Sequence, residues 1–331
     1  MRKKRKVEIK TDKVQKLETY IKNGDTKGAL SVIESGDYDP AYISRNGNSA
    51  LIWACQYKLD DVALKLIETG TAKPEYVGAN GNTALLWACS NNMSKVALKL
   101  LATGKAKPEH ANNYGINALN YSIINSTMNK FALKLLETGK ARPEQITKKS
   151  KNNALTTACL FGKEKIALKI LETSKARPEH IEKDGMNSLE WAIATNKKKM
   201  EKVALKIIET GKGHPEHITP ENRNALAYAC AFNMNKVALK LLEMGTSNPG
   251  LVSNSPTGNN NTALTSACRN KMTKVAFKLL ETGKSKPDHV NKDGFSALYW
   301  ANKNELPISL REKIIELSNK NKKTRKIKRK P

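Results

Sequence analysis

Apolar and polar positions along the chain fall into two alternating blocks. The first reads [Thr/Ser/Asn]-[Ala/Ser]-Leu-x-x-Ala and starts at Ser49, Thr83, Asn117 (where Ser122 stands for the last Ala), Asn153, Asn187, Asn224, Thr262 and Ser296. The second is typified by Val62, Ala63, Leu64, Leu66 and Ile67, whose side chains cover well over half a helical turn and leave Lys65, Glu68 and Thr69 as a narrow polar strip. Both blocks have helical spacing, so each period predicts a pair of helices. The first block opens on a residue whose side-chain oxygen accepts from the free N–H groups of a helix start. The second closes on a glycine such as Gly70, suited to a left-handed C-terminal position, and Pro74 follows where the helix cannot resume.

The prolines at 40, 74, 108, 143, 178, 215, 249 and 287 mark the period at 34 to 38 residues. From the valine position (Phe131 and Ile166 in two units) to the proline there are always twelve residues, so the second helix and its exit turn take no insertion. Extra residues enter around Lys197 to Met200, Lys149 to Lys151 and Val252 to Asn260, where surface loops accept length at small cost. A repeat at this period means a stacked array in which each unit buries its apolar face on the next.

These residues carry a resemblance. The order Gly81, Thr83, Ala84, Leu85, Ala88, then Val96, Leu100, Leu101 and Gly104 is similar to the ankyrin repeat, and the pattern recurs over about residues 12–318. The resemblance implies an all-α, ankyrin-type helical solenoid with loops between units. We divide the chain into a basic disordered tail at 1–11, an array at 12–318 with seven full units between two caps, and a second basic disordered tail at 319–331. An array of this kind is expected as one elongated domain, since it needs no single core. Ala84 and Leu86 replace the Pro and His of the family's Thr-Pro-Leu-His block, so the hydrogen bonds that this His makes between units are absent. The repeat dialect resembles the large ankyrin families of giant amoeba-infecting DNA viruses.

Charge changes the picture next. The chain has 58 Lys and Arg against 31 Asp and Glu, a net +27, and much of the excess is terminal. Arg2, Lys3, Lys4, Arg5 and Lys6 form one run, and Arg325, Lys326, Lys328, Arg329 and Lys330 belong to the other. Such runs read as nuclear localisation signals or phosphate-binding arms, against the plainer reading of solvated tails. Within the array, Lys65, Lys99, Lys134, Lys169, Lys206, Lys240 and Lys278 share one helical position, usually with a glutamate three residues on. A solvated face with local ion pairs is favoured there over a nucleic-acid groove.

Other columns invite chemistry and are better explained by repetition. Trp53, Trp87, Tyr121, Trp191, Tyr228 and Trp300 share one position in the first helix, and packing in the seam between helices is preferred to a ligand cage. Cys55, Cys89, Cys159, Cys230 and Cys268 share another. Stacked helices lie about 8 to 10 Å apart, beyond the span of a disulfide, so these read as buried thiols of a reducing compartment. His110, His180, His217 and His289 recur in the exit loops, with His214 beside them. No zinc-protease, nucleophile-elbow, phosphate-loop or kinase motif occurs, and an enzyme, a cofactor and a metal are not expected. No secretory signal and no run of about 18 apolar residues is present, so the protein is expected in the cytoplasm or nucleus, off the membrane, as a monomer.

The resemblance implies a protein partner held on a concave surface of loop tips and first helices. Residues that differ from unit to unit would select it: Tyr57 and Lys58, Asn91 and Asn92, Asn112, Asn113 and Tyr114, Lys148, Lys149 and Lys151 within Lys148 to Asn152, and the loop Ser253 to Asn260. The alternative is a nucleic acid bound through the basic tails and the lysine-rich face.

Overall fold

The structure is a computed structural model and describes residues 16–40, 42–195, 198–254 and 259–327, with backbone alone over 322–327. Among these residues the architecture is all-α. Two compact units divide after Thr157, inside a helix, and each is built from stacked helix pairs.

The first unit opens with α1 (16–22) and α2 (Thr26–Glu34). The pairs α3 (Ala50–Gln56) with α4 (Asp60–Glu68), α5 (Ala84–Ser90) with α6 (Ser94–Ala102), and α7 (Ala118–Ile124) with α8 (Asn129–Glu137) follow. First helices stack on first helices, α3 on α5 on α7, and second helices on second, α2 on α4 on α6 on α8. Helix α9 (Ala154–Leu160) spans the division. The second unit continues with α10 (Glu164–Leu171) and the pairs α11 (Ser188–Ala194) with α12 (Met200–Glu209), α13 (Ala225–Ala231) with α14 (Asn235–Met244), and α15 (Ala263–Arg269) with α16 (Thr273–Glu281). It ends with α17 (Ala297–Lys303) and α18 (Ile308–Ile327), and its stacking runs α11 on α13 on α15 on α17 and α10 on α12 on α14 on α16 on α18.

Each first helix is only seven residues long, too short to persist alone in water, so its stability comes from its neighbours. Leu85, Ala88 and Cys89 are completely enclosed. The expected caps are in place: Ser49, Thr83, Asn117, Asn187, Asn224, Thr262 and Ser296 each accept the backbone N–H three residues on. At the other end of the pair, Gly70, Gly104, Gly139, Gly211 and Gly283 take φ of +66° to +69°. Just before them, Thr69, Thr103, Thr138, Thr210 and Thr282 turn their hydroxyls back to the carbonyl three residues earlier, at 2.6 to 2.7 Å. Four of these hydroxyls then accept the N–H of the lysine two places on. This local knot explains why the Thr-Gly-Lys sequence repeats without insertion.

The structure departs from the sequence pattern in three places. Leu64 is half-buried and its counterpart Leu98 is 37% exposed, because the second helices cover one layer and have no further layer outside them. The polar strip is therefore wider than Lys65, Glu68 and Thr69. The loops between units are also tighter than plain connections. Antiparallel bridges close Ile43 on Ser49, Val77 on Thr83, Ala111 on Asn117, Val252 on Thr262 and Val290 on Ser296. Finally, α18 carries helical backbone past position 318 to Ile327, through residues with neither proline nor glycine to stop it.

Candidate interaction surface

Loop tips and interhelix turns sit at opposite ends of the first helices. A seven-residue helix is about 10 Å long, so the residues singled out by their variation form two clusters.

At the turns, Tyr57 caps the C-terminal end of α3, is 42% exposed and leans on Trp53 with ring centroids 5.6 Å apart. Lys58 and Asn92 are exposed and hold left-handed backbone, φ +59° and +61°, at matching positions in successive turns. Asn91 is different. Its amide donates to Cys55 O at 2.8 Å and Gln56 O at 3.0 Å, closing the end of α3 from the next pair. Asn125 does the same to Cys89 and Ser90, Asn270 to Cys230 and Ala231, and Asn304 to Cys268 and Arg269. This asparagine ladder satisfies orphan helix-end carbonyls. Its signal was a column at one repeat position, hidden because other units put Tyr57, Phe161 and Phe232 there.

At the tips, Asn113 and Tyr114 are exposed, Tyr114 by 58%. Asn113 N donates to Asn80 O and Lys148 N to Tyr114 O, so successive tips are tied through backbone. Lys148, Lys149 and Lys151 stand exposed beside Tyr114's loop, Lys151 at φ +59°. Asn112 is buried. Its amide donates to Asn82 Oδ1 at 2.9 Å, and its Oδ1 takes the N–H groups of Tyr114 and Ile116, so it shapes the tip from below. Of the second-unit loop, Ser253, Asn254, Asn259 and Asn260 are described, and Ser255 to Gly258 lie outside the described residues.

The histidine missing from the first block is replaced by another device. His110 Nε2 lies 2.7 Å from Gly81 O and His289 Nε2 lies 2.6 Å from Asn260 O, each reaching from an exit loop to the preceding unit. His217 Nδ1 approaches Glu190 Oε1 at 2.8 Å. Glu190 is fully buried at the start of α11, where its other oxygen takes Asn187 N–H. Burial pushes this carboxyl above its ordinary value, opposed by the Asn187 and His217 hydrogen bonds.

The aromatic column has a structural task. Trp53 Nε1 bonds Ser44 Oγ, Trp191 Nε1 bonds Glu182 Oε1, and the hydroxyls of Tyr121 and Tyr228 meet Asn112 and Thr219. Each partner lies nine residues upstream, so the ring edge pins its own loop. All five cysteines are buried, and burial raises every one of their thiols, that of Cys268 to about 12. Among the described residues no cluster of His, Cys, Asp and Glu could hold a metal, and no helix is long and apolar enough to cross a membrane.

The lysine column is a face of local ion pairs. Lys134, Lys169 and Lys206 pair with the glutamate three residues on, at 2.7 to 3.2 Å. Lys65 reaches Glu34 and Lys278 reaches Glu243, both in the preceding unit. Of the basic tails, Arg2, Lys3, Lys4, Arg5, Lys6, Lys328, Arg329 and Lys330 lie outside the described residues. Arg325 and Lys326 fall on the backbone of α18, their side chains likewise undescribed.

Residues 51–144 match the family model for ankyrin repeats, in three copies. No curated protein matches the chain. The matched stretch covers α3 to α8, the pairs that present Tyr57, Asn92 and Tyr114.

Proposed function

We propose that this chain, with three recognised ankyrin repeats, is a non-enzymatic protein that binds another protein through the tips and first helices of its stacked units. Ankyrin repeats generally mediate protein–protein interaction, a warrant drawn from fold that needs support from the site itself. One observation carries the reading. Tyr57 and Tyr114 are large rings left in solvent on backbone that is otherwise tied down by ladders of hydrogen bonds. Rigid exposed aromatics flanked by basic residues have the character of interface anchors, because little side-chain freedom remains to be lost on binding. Lys58, Asn92, Asn113, Lys148, Lys149 and Lys151 surround them as a polar rim, while Asn91 and Asn112 hold the scaffold.

We place the protein inside the cell, in cytoplasm or nucleus, as a monomer, with its basic termini as import signals. On the resemblance of its repeat dialect alone, we read it as a viral factor acting on a host protein. Affinity capture from host cells by the full chain, compared with Tyr57→Ala/Tyr114→Ala and with a variant whose terminal Lys and Arg are Gln, tests the reading. Loss of the captured protein in the aromatic variant supports it. Retention there, with loss of nucleic acid in the tail variant, would replace it by the nucleic-acid reading.

A further inference from the structure

The aromatic column has a gap that opens a cleft. Where six first helices carry Trp or Tyr, α9 has Thr157 and α15 has Ser266, and the helix facing α15, α13, offers Ala227 and Ala231. Small side chains on both sides leave a hollow of about 280 Å³ between them. Arg223 and Arg269 line it.

The charged residues that line this hollow are all basic. Among the described residues neither arginine makes an ion pair, and no acidic residue lines the cleft. Arg223 is set in place, its Nε donating to Ser253 Oγ at 2.8 Å and its guanidinium over the Tyr228 ring at 5.5 Å. Of the carboxylates around it, Glu221 stands two residues before Arg223 and acts with it on the Tyr228 hydroxyl but does not line the hollow, Asp293 takes the amide of Asn259 on the rim, and Glu190 is buried with His217. Asn261, whose oxygen accepts from Asn291, keeps its amide N–H groups for a ligand. Arg269 stands at the same helical position as Lys303 of the next pair, which extends the positive character along the first-helix face.

We propose that the cleft between α13 and α15 docks an acidic segment of the protein partner, with a carboxylate received by Arg223 and Arg269. The inference rests on the proposed protein-binding function and adds a second contact region with a defined chemistry. An arginine fork binds carboxylates through charge-assisted, directional hydrogen bonds. The floor of Ala227 and Ala231 and the edge of Phe232 suit the methylenes of a glutamate, and the amide of Asn261 suits peptide backbone. A nucleic-acid strand would instead call for a track of cations with free ring faces for stacking. Phe232 lies parallel to Tyr228 at 6.4 Å, and among the described residues two cations line the hollow.

The test uses the full chain and a fluorescein-labelled twelve-residue peptide of alternating Glu and Ala, followed by anisotropy at physiological salt. Wild type is expected to bind saturably and Arg269→Gln at least tenfold more weakly, the size of one charge-assisted bond of about 1.4 kcal/mol. Ser266→Trp and Ala231→Leu fill the hollow without changing charge and are expected to weaken binding as much. Gln at Lys328, Arg329 and Lys330 should leave it within twofold. Among the described residues Arg269 lines the hollow without an ion pair, so Arg269→Gln decides the matter even if a filling variant misfolds by circular dichroism. Absence of wild-type binding, equal binding by Arg269→Gln, or dependence on the tail alone overturns the inference. So does a single-stranded oligonucleotide that displaces the peptide and loses affinity in Ser266→Trp. Absence of wild-type peptide binding, with host-protein capture still abolished in Tyr57→Ala/Tyr114→Ala, sinks this inference and leaves the general function standing.

Discussion

Replacing Asn91 by Ala separates a scaffold residue from a contact residue. Its amide donates at 2.8 Å to Cys55 O and at 3.0 Å to Gln56 O, and alanine removes both bonds. A net hydrogen bond contributes about 0.5–1.5 kcal/mol, so two set an upper range near 3 kcal/mol. Cys55 O also accepts from Tyr57 N–H and Lys58 N–H, and so keeps a partner, whereas the carbonyl of Gln56 depends on Asn91. The site is half-buried and water can reach it in part, which places the expected loss at about 1–2 kcal/mol. Neighbouring Asn92 is the control. It is exposed at φ +61°, a backbone glycine accepts without strain, so Asn92→Gly should change stability by less than about 0.5 kcal/mol. Urea unfolding followed by circular dichroism measures both. Because repeat arrays can unfold in segments, midpoint and slope are compared together. An Asn91→Ala protein as stable as wild type that has lost its captured partner would refute the reasoning and return Asn91 to the contact surface.

Three further outcomes follow from buried groups and tight turns. Burial raises the Glu190 carboxyl above its ordinary 4.5, so the folded state binds more protons than the unfolded one and stability falls as pH rises from about that value through the folded one. Glu190→Gln removes this titration; the stability of wild type relative to the variant should therefore decline with rising pH, and a rise would mean that the Asn187 and His217 bonds outweigh desolvation. Thiolate is the reactive form of cysteine, and all five thiols are raised, so iodoacetamide labelling near pH 8 should follow unfolding, whereas fast native labelling of any one of them contradicts its burial. Gly81→Ala meets a left-handed φ of +74° and puts Cβ 2.7 Å from Asn113 Oδ1 and 3.0 Å from Asn113 N, while Gly139→Ala meets φ +68° in open space. The second should cost about 1–2 kcal/mol, the first more, and equal melting temperatures would show that the tip yields.

What could be read beforehand follows from which interactions are local. Caps such as Thr83 and closing glycines such as Gly70 depend on residues within one helix pair, and the repeating pattern displays them. Links between pairs were less legible. The ladder through Asn91, Asn125, Asn270 and Asn304 spans 35 to 40 residues, and the bridge from His110 to Gly81 spans 29, so each needs the stacking before its chemistry has a meaning. Asn91 and Asn112 varied between units and so resembled contact residues, although their polar groups are spent inside the array. The wider outer strip at Leu98 is invisible to periodicity, which counts apolar residues and not the layers available to cover them. Ser266 was the opposite case: one of two breaks, with Thr157, in a mostly aromatic column, visible in the chain, whose consequence is a cavity and hence appears only in three dimensions.

The central claim is that a protein is recognised on the tips and turns of the first-helix layer. Backbone hydrogen exchange of the full chain, with and without its captured partner, tests this most directly. The account expects slowed exchange in the segments holding Tyr57 and Lys58, Asn92, Asn113 and Tyr114, and Lys148 to Lys151, with the second helices α4, α6 and α8 unchanged. Protection confined to those second helices, or to the basic segment from Lys320 onward, would contradict it.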